Sequence, residues 1–316
     1  MKIKIETFRQ ETFPIDPDAV KQIDILDVQT ISGTEVENPC KIPILYCEFS
    51  NIVFLEFCPT EETANNLYIG AERRLAERIG AKSRERVRRI MRVLRSSGLS
   101  VPDKPKLLEI GCGFGFNVSS MAAKLRGVAY GIEPSMHVSE ICEENGVKLI
   151  GNDISAIGDS GIDFDIVIMI QSLEHIIDPN KCIEMIKSSA KPGMIFLIEV
   201  PDVQVTTNVS VWHPFCYSPR GLHLLLNRHG FRVLACNSRI TDKRQFTDID
   251  LAAVYTGGIV EDQGSSLTTP KTVEEFVADQ LRLNPSASER KIRDIAFRWS
   301  VSMQLLKRRA MGISID

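Results

Sequence analysis

The stretch "LLEIGCGFG", residues 107–115, decides the fold. An apolar run with strand-forming side chains passes directly into Gly111, Gly113 and Gly115, a G-x-G-x-G spacing. Glycines in that position allow a tight turn and let a ligand approach the backbone where the next helix begins. The same pattern can also serve only for close helix–strand packing, so the flanking sequence has to decide.

Outward from this point, short apolar runs alternate with amphipathic segments from 105 to 256. The candidate strands are 106–110, 127–132, 147–150, 164–170, 194–200, 231–236 and 250–255. Strands separated by helix-length segments predict βαβ units on a mostly parallel, doubly covered sheet, with the last two runs as a final antiparallel pair. Phe116 occupies the position where a dinucleotide fingerprint requires its third glycine, and no G-x-x-x-x-G-K-[ST] is present, so a nicotinamide or flavin enzyme and a nucleotide triphosphatase are both disfavoured.

Three acidic positions strengthen a nucleoside reading. Glu133 ends the second strand, 22 residues after Gly111, where a carboxylate can accept both hydroxyls of a ribose. Asn152, Asp153 and Ile154 end the third strand, where a carboxylate can take an adenine amino group. Glu109 lies inside the first strand, where burial is expensive unless a donor is found, and a ligand ammonium group is one such donor.

In these stretches, together with "FDIVIMIQSLEHIIDP", "KPGMIFLIEVPD" and "GLHLLLNRHGFRVL", the chain resembles the class I S-adenosylmethionine-dependent methyltransferases over about residues 105–240. The resemblance implies an α/β fold, a doubly wound seven-stranded sheet with a reversed last hairpin, and S-adenosylmethionine as cofactor. It places Glu109 with Gly111, Cys112, Gly113, Phe114 and Gly115 around the methionine moiety. Glu133 is then at the ribose, Asp153 and Ile154 at the adenine, and Gln171 on the sulfonium side.

Methyl transfer from a sulfonium depends mainly on bringing donor and acceptor into line. A hydroxyl or carbon-acid acceptor also needs a base, and a histidine suits that role near neutral pH. Of the five histidines, His175 and His213 follow strands at the carboxyl edge, where α/β sheets bind ligands. His137 and His229 read as surface or cap residues and His223 as packing. "NVSVWHPFCYSP" (208–219) resembles a loop of methyltransferases acting on sugars and quinone-type phenols, which makes His213 the first candidate base and Trp212, Phe215 and Tyr217 candidate walls of an acceptor pocket. The alternative is that His213 caps the next helix while the aromatics pack.

Within "QSLEH", Glu174 and His175 are the second catalytic candidates. Relatives acting on RNA 3′ ends or ubiquinone precursors carry a fuller E-x-x-E-H pattern that binds a divalent metal. Here the first glutamate is Gln171, which weakens a hard-cation site. Glu174, His175 and His213 make a partial set, and no metal is expected.

The remaining chain divides into a β-hairpin or cap region (1–70), a basic helical segment (71–104) and, after the methyltransferase-like part (105–256), a linker with two polar-faced helices (257–316). Together the flanks are expected to form a small N-terminal α+β extension and C-terminal helices. "FCPTEETANNLYIG" (57–70) resembles a segment that follows a zinc-binding β unit in some sugar methyltransferases. Only Cys40, Cys47 and Cys58 are available nearby, so the hairpin is expected to persist as a lid without zinc. Ten Lys or Arg fall within 73–95, and such a run is expected to be a solvated helix face.

The net charge of −3, the eight scattered cysteines and the absence of a long apolar run predict a reduced, cytoplasmic protein without membrane or nucleic-acid partners. Self-association would run through the N-terminal hairpin or the C-terminal helices. The acceptor expected is a small molecule, with a sugar or polysaccharide precursor first. An RNA or DNA methyltransferase and a catalytically idle binding module are the alternatives.

Overall fold

The structure, a computed structural model, describes residues 7–9, 17–31, 34–60, 76–135, 138–203, 209–210, 212–240, 247–258, 260 and 270–276. The expected C-terminal helices beyond 276, most of the linker, residues 61–75 and His137 lie outside the described residues. The chain begins with β1 (Thr7–Arg9), β2 (Val20–Ile31), β3 (Thr34–Cys47), β4 (Ile52–Leu55), β5 (Phe57–Pro59) and the long helix α1 (Ala76–Ser96). Then come β6 (Lys106–Ile110), α2 (Phe116–Leu125), β7 (Val128–Ile132), α3 (Ser139–Glu144), β8 (Val147–Gly151) and α4 (Ala156–Asp159). The remaining elements are β9 (Ile166–Ile170), α5 (Pro179–Ser188), β10 (Ile195–Pro201), β11 (Phe215–Cys216), α6 (Pro219–Arg228), β12 (Phe231–Ile240) and β13 (Thr247–Tyr255).

Seven strands form one sheet in the order β12-β13-β10-β9-β6-β7-β8. Strands β6 to β10 run parallel, and β13 is antiparallel to both β10 and β12. Strand β9 is buried at all five positions, as expected of a strand covered on both faces. Its alternate residues divide between two apolar layers. Val167 and Met169 join α5 and α6 on one face, whereas Ile166 and Ile168 join α1 and α2 on the other. Chain order reverses between β6 and β9, and the carboxyl edge of the sheet there is where open α/β sheets place ligands. Among the described residues no helix is long and apolar enough to cross a membrane.

A second, four-stranded antiparallel sheet has the order β11-β4-β3-β2. The turn at residues 48–51 joins β3 to β4, and Asn51 adopts φ 56° there, a left-handed conformation that asparagine tolerates better than most residues. This N-terminal unit extends well beyond a single hairpin. Strand β2 pairs with β3 over most of its length, and β11 comes from the loop between β10 and α6. The segment 270–276 docks on it too: Lys271 N donates to Asn51 Oδ1 (2.9 Å), and the Phe276 ring stacks on Tyr46 at 4.6 Å.

Candidate functional site

The glycine loop is built around two carboxylates. Gly111, Gly113 and Gly115 all have positive φ (72°, 52° and 73°), and Gly115 is the N-cap of α2. A Cβ on Gly111 would lie 2.8 Å from Ser172 Cβ, so this turn needs glycine for space as well as for conformation. Beneath the turn, Glu109 is fully buried. One oxygen accepts from Asn117 Nδ2 (2.9 Å) and the other from Val118 N (3.1 Å), which ties the strand end to the first turn of α2. Burial, only partly offset by those two donors, pushes its pKa up to about 8.

A cavity of about 500 Å³ opens above the loop. Gly111, Glu133, Asp153, Ile154, Gln171 and His175 all line it, so the ribose, adenine and sulfonium candidates share one wall. Glu133 is held ready by backbone N–H groups. Oε2 accepts from Gly113 N (2.8 Å) and Oε1 from Ser135 N (3.0 Å), while burial raises its pKa. Asp153 Oδ1 accepts from Ser155 N (2.8 Å), which fixes the turn into α4 at the cavity rim.

Several side chains of this end lie deeper than expected. Glu109 has no solvent exposure, its oxygens accept from Asn117 and Val118, and it is not among the residues that line the cavity, so it braces the loop from within. Cys112 packs towards Gly131, whose added Cβ would meet its sulfur at 2.5 Å, and Cys112 and Phe114 are both buried beside α2. The loop therefore offers Gly111 to the cavity, while its two side chains serve packing and Gly113 and Gly115 are not among the lining residues. Ser172, unnoticed in the sequence, lines the cavity with a buried Oγ that has no hydrogen-bond partner. The signal for it was its place immediately after Gln171 at a strand end.

Gln171 follows β9 with φ 54°, a left-handed conformation that costs a non-glycine residue about 1–2 kcal/mol. Its N donates to Glu199 O (2.7 Å) and its Nε2 to Asp248 Oδ1 (3.2 Å). The next residues form a 3₁₀ turn, Leu173–His175, and this turn brings all three catalytic candidates together. One ligand-type atom from each of Glu174, His175 and His213 falls within 4.8 Å of the others, and the two imidazole rings meet edge to face at 4.5 Å.

Nδ1 of His175 lies 2.8 Å from Trp212 O, so Nδ1 carries the proton and Nε2 keeps its lone pair. Burial and the neighbouring His213 push the His175 pKa down to about 4, which keeps it neutral at physiological pH. Glu174 is 3 % exposed, its Oε2 has no hydrogen-bond partner, and burial pushes its pKa up to about 8.

The aromatic loop behaves differently from expectation. His213 does not cap α6; Ser218 does, its Oγ accepting from Gly221 N (2.9 Å) with Pro219 at the first helical position. Phe215 and Tyr217 are completely buried and stack in a row with Phe54, so they belong to the junction with the N-terminal sheet and not to a pocket wall. Helix α1 likewise is not simply solvated. Arg84, Arg88, Arg92 and Arg95 face solvent, but Arg86 and Arg89 turn inward onto Glu199 at 3.1 and 2.6 Å.

Residues 81–235 match the model of a methyltransferase domain family. A search of curated protein sequences finds no match. Among solved structures, the chain is similar to magnesium protoporphyrin IX methyltransferase from Synechocystis PCC 6803 with bound SAH, at 17 % identity and a TM-score of 0.44, covering 57 % of this chain and 85 % of that one. It is also similar to a SAM-dependent methyltransferase from Aquifex aeolicus, at 18 % identity and a TM-score of 0.42, covering 53 % and 89 %. A third likeness is to a S-adenosylmethionine-dependent methyltransferase from Clostridium acetobutylicum, at 12 % identity and a TM-score of 0.41, covering 54 % and 91 %. The sheet order, the glycine loop and the family match agree. The chain carries a class I methyltransferase domain and is an enzyme that uses S-adenosylmethionine as methyl donor.

Proposed function

We propose that the protein methylates a small acceptor bearing a hydroxyl or an acidic C–H, with a sugar, nucleotide-linked or as a polysaccharide precursor, as the leading class. The observation that carries this reading is the packing of His213 against His175, which lines the cofactor cavity. In the reaction, the acceptor oxygen or carbon attacks the methyl carbon, the carbon–sulfur bond breaks, and the sulfonium leaves as a neutral thioether. The acceptor proton must go to a base. His175 is too weakly basic for that role at about 4, so His213 takes the proton while His175, tied to Trp212 O, positions it. Glu133 holds the ribose, Asp153 and Ile154 the adenine, and Gln171 with the glycine backbone faces the methionine end.

Two features favour a small acceptor over RNA or DNA. Arg86 and Arg89 are spent inside the fold, and among the described residues no row of exposed aromatics lines the cavity. A cytoplasmic location fits the thiols, none of which is disulfide-bonded among the described residues.

A second reading rests on Glu174. A buried carboxylate oxygen without a partner, beside two imidazoles, has the donor set of a two-histidine, one-carboxylate divalent site. His175 offers Nε2 to it because Trp212 O holds the other nitrogen's proton. Such an ion would polarise the acceptor hydroxyl.

The test follows S-adenosylhomocysteine release across sugar nucleotides, phenols and RNA, with and without chelator. Turnover of sugar nucleotides supports the reading, and turnover of RNA alone overturns it. Loss of activity with chelator, restored by Zn²⁺ or Mn²⁺, selects the metal form. Glu133→Ala should weaken S-adenosylmethionine binding by about 10- to 100-fold, since it removes charge-assisted hydrogen bonds to the ribose.

A further inference from the structure

Helix α1 precedes the cofactor-binding sheet and contributes nothing to the cavity lining, yet it reaches the cofactor wall through a chain of contacts. Arg89 Nη2 donates to Glu199 Oε2 (2.6 Å) and to Asp248 Oδ2 (3.2 Å), and its Nε lies 3.7 Å from Asp250 Oδ1. Arg86 Nε takes the other side of Glu199 at 3.1 Å. These carboxylates come from β10 and β13, and two of them also hold Gln171. The other oxygen of Asp248, Oδ1, accepts from Gln171 Nε2 (3.2 Å), and the backbone oxygen of Glu199 accepts from Gln171 N (2.7 Å).

Gln171 therefore has both its left-handed backbone and its side chain fixed by two residues that share one guanidinium. A guanidinium suits this place because it is a planar fork with five donors, able to hold several carboxylates in fixed relative positions. Arg89 is only 12 % exposed and Glu199 fully buried, so the contacts are poorly screened by solvent and the geometry is rigid. Without the cation, Glu199, Asp248 and Asp250 would repel one another, and Asp248 would be free to turn away from Gln171.

We propose that Arg89 is a positioning residue for the methyl donor: it clamps Asp248 against the Gln171 side chain and so sets the cavity wall facing the sulfonium. This rests on the reading that Gln171 faces the cofactor. It assigns to the helix before the sheet a part in cofactor binding that its solvated, basic sequence conceals. Arg86, with one contact to Glu199, supports the clamp without touching Asp248.

The experiment is a double-mutant cycle on the full chain, Arg89→Met against Gln171→Ala, read as the dissociation constant of S-adenosylmethionine by calorimetry. Arg89→Met should weaken binding about five- to tenfold when Gln171 is present, the worth of one displaced hydrogen-bonding wall. In the Gln171→Ala background the same change should matter less than about twofold. An equal loss in both backgrounds, or a lower melting temperature with unchanged affinity, overturns the proposal and leaves Arg89 merely structural.

Gln171→Ala alone tests the reading beneath. Unchanged affinity there removes Gln171 from the cofactor wall and the clamp with it, whereas a sensitive Gln171→Ala with an additive cycle removes the clamp alone. If Arg89→Met does not fold, Arg89→Lys and Asp248→Ala replace it. The single ammonium of lysine cannot hold Glu199 and Asp248 as a fork, and alanine removes the acceptor of the Gln171 amide, so each should weaken binding about five- to tenfold when Gln171 is present and less than about twofold in the Gln171→Ala background. Equal losses in the two backgrounds would overturn the proposal.

Discussion

The contacts that hold the glycine loop are short in sequence, and those that hold the His213 loop are long. Glu133 reaches Gly113 across 20 residues, and Glu109 reaches Asn117 and Val118 across 8 and 9. His175 meets Trp212 across 37 residues, whereas Ser218 Oγ donates to Ser50 O across 168 and Arg220 Nε to Phe49 O across 171. The glycine loop and its ribose carboxylate are thus assembled by one βαβ unit. The acceptor end is assembled by stitching a loop of the large sheet, through β11, onto the N-terminal sheet. A donor site of this kind can be kept while the acceptor end is rebuilt, because the two share few supporting contacts. Their junction is the short segment from Gln171 to His175.

The largest effect should come from the acceptor end. His213→Ala should lower kcat by about 10²- to 10⁴-fold, the usual contribution of a positioned general base. Affinity for S-adenosylmethionine should remain within about twofold. Parallel losses in kcat and donor affinity would show that the two ends are one structure and would break the comparison.

Gly221→Val tests the stitching itself. Gly221 lies in the first turn of α6 against β4, where an added Cβ would fall 2.3 Å from Ile52 Cδ1 and 3.1 Å from Ser50 O. Since neither α6 nor the small sheet has room to yield, the substitution should cost about 3 kcal/mol, at the upper end of ordinary overpacking. Thermal melting is the measurement, followed by acceptor and donor kinetics on the folded fraction. Acceptor KM should rise while donor affinity holds. An unchanged melting temperature would mean that α6 and the N-terminal sheet are not packed as described.

The same difference explains what could be read from the sequence. The sheet and its strand positions were legible because each strand is a continuous apolar run bounded by turns, as in "FDIVIMI". Glu133 and Asp153 were legible because strand ends followed by fixed spacings put them on one edge. The burial of Phe215 and Tyr217 was not legible, because it depends on pairing with Phe54 and Val53 more than 150 residues earlier. Nor could the inward turn of Arg86 and Arg89 be foreseen: the carboxylates that receive them, Glu199, Asp248 and Asp250, are themselves unremarkable in strands that read as apolar. Glu109 was legible as a costly buried charge, but the sequence could not say whether its donor would come from a ligand or from α2.

Glu109→Gln sharpens the donor side with the smallest change. The carboxyl group's ordinary pKa is 4.5, and in the folded chain it is pushed up to about 8. Between those values the folded protein keeps a proton that the unfolded chain has released, so folding is favoured most below about 4.5 and loses that advantage as pH rises through about 8. Glutamine cannot titrate, and its amide nitrogen cannot accept a hydrogen bond, whereas the hydroxyl oxygen of the protonated carboxyl still can. The variant should therefore be about 1–2 kcal/mol less stable at pH 5, and the gap should narrow towards pH 8. Glu174 is also pushed up to about 8, so it slopes the melting curves of both proteins alike, and the difference between the two isolates Glu109. Melting temperatures at pH 5, 6.5 and 8 supply that difference. Curves that stay parallel across the range would mean that Glu109 is ionised in the fold, held by Asn117 and Val118 as a charged brace. A gap that closes while acceptor KM stays fixed would place its whole effect at the glycine loop, in the one βαβ unit that builds that loop from neighbouring sequence.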